Sequence, residues 1–563
     1  MAPSKQMLIE AANDERKILS HACTHLQDIR VDQGDWNLSI YDMAWVLCSD
    51  FFAEEDRERH LQALLNQRNK NGFWGDATYL PHSALVDTLA VVMMQVRRGR
   101  EIQDRAEVAR GINELLLRCS AYEHHSAVAF ELIAPNFLRW LERKGVTFDL
   151  STEAQAFLQA TARSGDYKLA VLRKGPGLFK SHLTLSYTAE IAALIPLEGE
   201  ELGQLLGMML SNGAIGLAPA ATAAAIVLCR EHGREAPEGL YRYLQSTYDD
   251  YGQKGFPDLH PAYQTRRLWT MLPWILSGDI FDVVAQTEGL EVVKQLYEDV
   301  DVGDVRGVSW DDHNKDLPDL DDTAVALVTY YILRSRGKDV APITPKSLLS
   351  FQRQDGSFVC YPYELHPSPA ALFHVLMSLE RGEDALGKGI YAGSGDEERI
   401  REAILAQLEK QLDPEHKSPE ILCHDKWHAT WTYGAQRWLS VRVLQERFPN
   451  GVEKVVKKAL ADQKSDGGWG QEQPTVEETS YIVSGLAHIL LRQGLGASQR
   501  EGVRDALQRA WPFLRDRVGR GEGPEIPPIW ISKNLYRADF QIYSAIYNAL
   551  YAFRKVRAAG LMK

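Results

Sequence analysis

The segment QKSDGGWGQE, residues 463–472, predicts a tight connection between two helices. Two other segments repeat its order of a Gln, a Gly and then an aromatic residue: QRNKNGFWGD at 67–76 and QRQDGSFVCY at 352–361. The Gly permits a tight turn, the Gln amide can bond backbone groups at helix ends, and the ring can cover the turn. We interpret these segments as structural staples, and their repetition predicts stacked helical pairs.

The sequence between the staples has helical periodicity. Apolar residues recur three and four positions apart in LVDTLAVVMMQVRRG (85–99), TAVALVTYYILRSRG (323–337) and SYIVSGLAHILLRQG (480–494). No comparable run alternates between apolar and polar residues as a half-buried strand does. The sequence therefore predicts an all-α fold built from helical hairpins.

Length and composition restrict the class of protein. A chain of 563 residues exceeds one ordinary core and predicts about two to four domains. Its net charge of -13 argues against nucleic acid as a partner, and no stretch is long and apolar enough to predict a transmembrane segment. The six cysteines contain no C-x-x-C pair, which predicts reduced thiols in a cytoplasmic protein and no cysteine metal site.

An acidic stretch precedes one of the apolar helices, in WDDHNKDLPDLDDTAVAL at 310–327. Metal binding, a solvated helix start and a buried acid can each explain it, and acidic residues near the positive end of a helix dipole are common. Burial and like charge, however, disfavour the ionised form of neighbouring carboxyl groups, so such a cluster retains a proton.

Several motifs occur together with this stretch. SIYDMAW stands at 39–45, DLDDTA at 319–324, DKWHATWTYGAQRW at 425–438 and NLYRADFQIYSAIYNALY at 534–551. With the turn repeats, their order resembles that of the class II terpene cyclases, particularly the two-domain class II diterpene cyclases of the copalyl diphosphate synthase type, and distantly that of squalene-hopene cyclases. The resemblance implies an enzyme that cyclises a linear polyprenyl substrate, geranylgeranyl or farnesyl diphosphate, by protonation and retains its head group.

The resemblance also implies a domain organisation. Two α-barrels, the β and γ domains of terpene cyclases, are expected. Residues 1–48 would supply the N-terminal segment of the β domain, 49–274 an inserted γ domain, and 275–563 the rest of the β domain with the D-x-D-D motif.

Site residues follow from the same resemblance. Asp321 would deliver the proton, Asp319 and Asp322 would orient it, and His366 in CYPYELHPS would donate a hydrogen bond that increases its acidity. Aromatic faces stabilise cations without offering a lone pair. The residues expected to contact the substrate chain are Trp310, Trp427, Trp431 and Tyr433, with Tyr187 and Asp258 acting at the end of the reaction.

The sequence departs from the family at the head group. The D-D-x-x-D motif that binds metals in ionising terpene synthases is absent, so no metal site is predicted and protonation requires no cofactor. The acidic, Arg-containing stretch of plant diphosphate users reads LPHSALVDTLA here (80–90). The remaining candidates for binding a diphosphate, with Mg²⁺ possible as its companion, are Lys168, Lys174 and Lys180.

Two alternatives stay open at this point. One is a meroterpenoid cyclase that uses the same acid on a polyprenylated aromatic acid or phenol. The other is a helical-repeat binding protein without catalytic activity, in which D-L-D-D only caps a helix.

Overall fold

The computed structural model describes residues 3–29, 36–122, 126–174, 177–179, 182–301, 307–311, 313, 317–361, 364, 367–387, 395–492, 494–519 and 526–562. Helices dominate these residues, which confirms the all-α fold class. In chain order the helices are α1 (Pro3–Asn13), α2 (Ile18–Asp28), α3 (Ile40–Cys48), α4 (Glu54–Leu65), α5 (Pro81–Arg97), α6 (Arg105–Ser120), α7 (Phe130–Arg143), α8 (Thr152–Lys174), α9 (His182–Ala192), α10 (Glu201–Gly207), α11 (Pro219–Glu231), α12 (Glu238–Asp250), α13 (Tyr263–Ser277), α14 (Ile280–Val284), α15 (Thr287–Glu298), α16 (Leu320–Ser335), α17 (Pro345–Leu349), α18 (Pro369–Leu386), α19 (Asp396–Leu412), α20 (Pro419–Leu422), α21 (Trp431–Ser440), α22 (Arg442–Arg447), α23 (Pro449–Ala461), α24 (Val476–Leu491), α25 (Ala497–Gly519) and α26 (Asp539–Ala558).

Short elements complete the description. A 3₁₀ helix covers Glu15–Lys17. Strand β1 (Val308–Ser309) pairs antiparallel with β2 (Pro318–Asp319), and β3 (Trp530–Ile531) pairs antiparallel with β4 (Leu535–Tyr536). Among the described residues, no helix combines the length and the hydropathy that a bilayer crossing requires.

The chain divides into two compact units. Unit 1 comprises Met1–Asp32, Ala262–Pro527 and Ala538–Lys563, and unit 2 comprises Gln33–Pro261 and Pro528–Arg537. Helix α3 packs against α5 and α11 and therefore belongs to unit 2, whereas α13 packs against α16 and α26 in unit 1. The contacts thus divide the chain after residues 32 and 261, and they assign β3 and β4 to unit 2. The domain limits at 48 and 274, which the resemblance implies, stay a prediction.

Each unit has its own buried helices. In unit 2 every residue of α11 from Pro219 to Cys229 is buried, and α5 is buried from Pro81 to Gln95. In unit 1, α16 packs on α18, α21 packs on α24, and α24 packs on α26. Helices that are buried on every face form the interior of each unit.

The turn repeats share one local structure. Gly72, Gly356 and Gly467 have φ values of 87°, 86° and 90°, in the left-handed region that glycine adopts at little cost. A Cβ on Gly467 would lie 2.1 Å from the Arg509 carbonyl oxygen, so a larger residue does not fit there. In two of the repeats the indole donates to a carbonyl oxygen ten residues earlier, Trp74 to Leu64 and Trp469 to Ala459.

The glutamines of these repeats differ in their partners. Gln463 donates to the carbonyl oxygens of Gly467 and, on the neighbouring helix α25, Ala506, both at 2.8 Å. The Gln352 amide likewise reaches the Gly356 carbonyl oxygen at 3.0 Å. In the first repeat the Gln67 amide bonds the carbonyl oxygen of Ala63, in the last turn of the preceding helix α4, which is a backbone group at a helix end as expected.

Candidate active site

The three aspartates of the D-x-D-D motif lie where β2 ends and α16 begins. Asp319 is the N-cap of α16, and its Oδ1 accepts a hydrogen bond from the Asp322 backbone N–H at 2.8 Å. Asp321 and Asp322 follow in the first turn, where the helix dipole favours negative charge. All three are nevertheless buried, with 3%, 4% and 2% of their surface exposed. The motif is therefore a buried acid cluster and not a solvated helix start.

Asp322 is held by two donors on α13. The Thr265 hydroxyl donates to its Oδ2 at 2.6 Å and the Trp269 indole N–H donates to its Oδ1 at 2.7 Å. The two donors are four residues apart and so lie on one face of the helix. Neither had a signal in the sequence, because α13 lies outside the motif.

Burial makes this cluster retain protons. It raises the pKa of Asp322 to about 7, an effect that the Thr265 hydrogen bond opposes and the charge of Asp321 reinforces. Burial also raises the pKa of Asp319 well above its usual range, and the charges of Asp322 and Asp321 add to that shift. Adjacent buried carboxyl groups of this kind cannot all ionise near neutral pH.

Asp321 has a different partner. Its Oδ1 forms a short hydrogen bond with Nδ1 of His374, which lies on α18. His374 is fully buried, and its other ring nitrogen, Nε2, accepts a hydrogen bond from Arg437 Nε at 3.2 Å. The motif segment alone indicated none of this, because α16, α18 and α21 meet only in the folded chain.

His366, the histidine expected to activate Asp321, lies outside the described residues. The structure therefore does not test that prediction. The described histidine beside the acid is His374, eight residues further along the chain.

The expected aromatic residues of unit 1 have unequal surroundings. The half-buried Trp310 has an indole nitrogen without a hydrogen-bond partner among the described residues, and its carbonyl oxygen accepts from the Thr265 backbone N–H at 3.3 Å. A lysine ammonium lies over the ring of Trp427 and another over that of Trp431, at 4.5 and 4.6 Å from the centroids. Trp310 is thus the expected aromatic residue linked most directly to the acid cluster.

Tyr433 contacts protein groups through its ring. The Arg437 guanidinium lies 3.3 Å from its centroid, and the His428 ring stacks on it at 4.8 Å with an angle of 9°. Its expected contact with a substrate cation stays a prediction.

Unit 2 contains the two residues expected to end the reaction. Asp258 is buried, neither carboxyl oxygen has a hydrogen-bond partner among the described residues, and Oδ1 lies 3.5 Å from Lys533 Nζ. Lys533 also donates to Glu190 on α9 at 2.8 Å. Asp258 therefore belongs to a buried, charged cluster.

Tyr187 lies one turn before Glu190 and is half-buried. Burial raises the pKa of its hydroxyl, and the charge of Glu131 adds to that shift.

The basic residues expected at the head group are partly neutralised. Lys168 is exposed and forms an ion pair with Glu131. Lys174 is exposed at the last position of α8, and Lys180 lies outside the described residues. Of the two lysines that the structure describes, Lys174 is therefore the better candidate for binding a diphosphate.

Metal binding is one of the explanations that the acidic stretch allows, and Asp312 and Asp316 of that stretch lie outside the described residues. No group of three or more His, Cys, Asp or Glu side chains in the described part of the chain could hold a metal ion. The cluster can instead donate a proton: one carboxyl is paired with the buried imidazole of His374, and two neighbouring carboxyl groups are held by a helix start and by α13.

Comparisons with known proteins agree with this chemistry. No family model matches the chain. The chain is 25% identical over 539 residues to copalyl diphosphate synthase of Streptomyces cyslabdanicus, covering 92% of each chain. It is 27% identical over 333 residues to terpentedienyl-diphosphate synthase of Kitasatospora griseola, a match that spans 58% of either chain.

A solved structure extends the agreement to the fold. The ent-copalyl diphosphate synthase from Streptomyces platensis superimposes with a TM-score of 0.67 at 22% identity, covering 95% of this chain and 99% of that one. The resemblance inferred from the motifs, and with it the assignment as an enzyme, is confirmed.

Proposed function

Because the chain is a class II terpene cyclase, we propose that it cyclises a linear prenyl diphosphate, geranylgeranyl or farnesyl diphosphate, by protonation and releases a cyclic product that still carries the diphosphate. The observation that carries this proposal is the buried Asp319–Asp321–Asp322 cluster with His374 on Asp321 Oδ1. Relatives over most of the chain include copalyl diphosphate synthases, which supports a diphosphate as the head group.

The first step is proton transfer. The O–H bond of protonated Asp321 breaks as a C–H bond forms at the terminal alkene. The electron pair of the alkene forms the new C–H bond, and the other alkene carbon becomes a tertiary cation. The Asp321 carboxylate that remains accepts the hydrogen bond of His374, and donors already in place stabilise charge without reorganisation. The protonation needs no cofactor, because the proton comes from the protein.

The later steps use the substrate's own alkenes. Each attacks the preceding cation and forms a ring, and loss of a proton ends the sequence, so the reaction is an isomerisation. We assign Trp310 to the stabilisation of cationic intermediates, and Asp258 and Tyr187 to the last step. Trp427, Trp431 and Tyr433 stay candidate substrate contacts of lower weight, because each ring already contacts a basic side chain.

We assign unit 1 to the β domain of the family and unit 2 to the γ domain. The six cysteines are buried and unbridged, which supports the cytoplasm as the location of the enzyme. Mg²⁺ stays a possible companion of the substrate's diphosphate.

The test is a panel of three substrates analysed by mass spectrometry and chromatography. We expect conversion of geranylgeranyl or farnesyl diphosphate to an isomer of equal mass and altered retention, and no conversion of a geranylgeranylated hydroxybenzoate. The Asp321→Asn variant should keep the melting curve and lose the product, because an amide has the shape of the acid and no proton to deliver. Wild-type turnover of the hydroxybenzoate alone would replace the diphosphate by an aromatic head group. Conversion of none of the three would favour the binding-protein alternative.

The head group gives a second prediction. Replacing Lys174 by Ala should raise the Michaelis constant for a prenyl diphosphate, whereas Lys168→Ala should have a smaller effect because Lys168 is paired with Glu131. Inorganic pyrophosphate should compete with the substrate. Unchanged constants in both variants, with no inhibition by pyrophosphate, would remove these lysines from diphosphate binding.

A further inference from the structure

Arg437 is a buried cation two hydrogen bonds away from the proton of Asp321. It lies on α21 with 1% of its surface exposed. Its Nε donates to His374 Nε2 at 3.2 Å, and its Nη1 donates to the carbonyl oxygen of Tyr433 at 3.1 Å and to Gln436 Oε1 at 2.9 Å. The guanidinium also lies over the Tyr433 ring. These contacts fix the side chain in one orientation.

The contact between Arg437 and His374 can have only one direction. A guanidinium has donors and no acceptor, and it stays protonated in proteins. A neutral imidazole carries its hydrogen on one ring nitrogen and a lone pair on the other. Because Arg437 occupies the lone pair of Nε2, the hydrogen of His374 must be on Nδ1. A protonated His374 would instead direct an N–H at the guanidinium, which is unfavourable.

The tautomer of His374 determines where Asp321 keeps its proton. Nδ1 faces Asp321 Oδ1, so an N–H on Nδ1 makes Oδ1 an acceptor. The proton of the neutral carboxyl is then on Oδ2, the oxygen that does not face His374. In the other tautomer the carboxyl O–H would donate to the Nδ1 lone pair, and the proton would point at the imidazole.

We propose that Arg437 is a positioning residue that holds His374 in the Nδ1–H tautomer and thereby keeps the acid proton of Asp321 on Oδ2, free for the substrate. This inference rests on the proposed function, in which Asp321 protonates an alkene. When the Oδ2–H bond breaks, Oδ1 gains negative charge, and the hydrogen bond from His374 becomes charge-assisted and stronger.

The size of the effect follows from known tautomer defects. A histidine held in the wrong tautomer costs a serine protease about 10⁴-fold in kcat. Without Arg437, His374 can still exchange tautomers, so the loss should be smaller. We expect Arg437→Met to lower kcat about 10- to 100-fold and to change the Michaelis constant by less than about threefold, because the defect lies in the transition state.

A double-mutant cycle separates positioning from general stability. In His374→Asn no imidazole remains, so no tautomer remains for Arg437 to select. Arg437→Met should therefore cost about 10- to 100-fold with His374 present and less than about threefold beside Asn at that position. Arg437→Lys, which keeps a donor and a charge, should recover part of the activity. Equal losses in both backgrounds would mean that Arg437 acts only on the fold and would overturn the proposal.

Two further measurements keep the outcome unambiguous. Arg381→Met is a matched control, because Arg381 is also buried and donates to the carbonyl oxygens of Ile275 and Leu276 away from His374. Its loss of activity should be the same with His374 or Asn at 374. Melting curves of all variants identify any that fail to fold.

The tautomer can be observed without substrate. In protein labelled with ¹⁵N-histidine, the His374 signals are assigned by their absence in His374→Asn. We expect protonated Nδ1 in the wild type and a shift towards protonated Nε2 in Arg437→Met. Protonated Nε2 in the wild type would overturn the proposal. If the tautomer is as expected but no prenyl diphosphate reacts, the proposed function fails and the tautomer assignment stands.

Discussion

Lys533 lies in a buried acidic cluster of unit 2, and its replacement by Met should destabilise that unit in a pH-dependent way. Its ammonium bonds Glu190 at 2.8 Å and lies 3.5 Å from Asp258. Burial raises the pKa of Asp42 well above its usual range, and the positive charge of Lys533 opposes that shift. Lys533 and its three acidic neighbours are each at most 1% exposed.

The expected loss can be estimated from this geometry. Removal of one partner from a buried ion pair costs about 3–5 kcal/mol, and we expect this loss in Lys533→Met at pH 8. Burial already raises the pKa of Glu190, and without Lys533 the pKa of both Glu190 and Asp42 should rise further. The folded variant then binds more protons than the unfolded chain, so its free energy of unfolding increases as the pH falls. At about 1.4 kcal/mol per proton and pH unit, one extra bound proton over this interval makes the loss at pH 5.5 smaller by up to about 3.5 kcal/mol.

Urea unfolding followed by circular dichroism at pH 5.5 and 8 measures both values, and hydrogen exchange of α3 and α9 assigns the effect to unit 2. Lys555→Met is the control: Lys555 bonds Asp279 at 2.6 Å in unit 1 but is 34% exposed, so water can replace part of the lost interaction. Its loss should be smaller and less dependent on pH. A loss in Lys533→Met below about 1 kcal/mol at pH 8, or an equal loss at both pH values, would refute the reasoning.

Two other predictions concern the reaction. Thr265→Val removes one donor to Asp322 and should lower kcat about 10- to 100-fold, because a hydrogen bond to a charged group contributes about 1.5–3 kcal/mol. The control is Thr270→Val, whose hydroxyl bonds the Arg266 carbonyl oxygen instead, and it should keep its kcat. Equal effects of the two variants would remove Thr265 from the acid site. Asp258→Ala and Tyr187→Phe should change the product distribution more than the rate of substrate consumption, since protonation comes first; gas chromatography of dephosphorylated products measures both, and an unchanged single product would exclude them from the last step.

The fold could be predicted because its signals are local. A helix repeats its apolar face every three to four residues, and a left-handed Gly within a staple requires only the neighbouring residues to be recognised. The acid cluster was predictable for the same reason, since Asp319, Asp321 and Asp322 form one helix start.

The partners of the acid could not be predicted in this way. His374 stands in the apolar run LFHVLM, where a histidine is usually a satisfied core residue, and only the packing of α16 on α18 brings it to Asp321. Thr265, Trp269 and Arg437 come from helices α13 and α21. Their roles depend on which helix faces meet, and the spacing of residues in one segment does not contain that information.

The β3–β4 segment has a consequence for synthesis on the ribosome. Glu190 emerges 343 residues before Lys533, the cation that neutralises it in the folded unit. At a translation rate of about 5–20 residues per second, Lys533 is made about 20–70 s after Glu190. During that time the buried acids of unit 2 have no counter-ion from Lys533. They must stay hydrated or protonated meanwhile. The nascent unit 2 therefore lacks this counter-ion and the β3–β4 pair until residues 528–537 are made, although most of its helices are synthesised early.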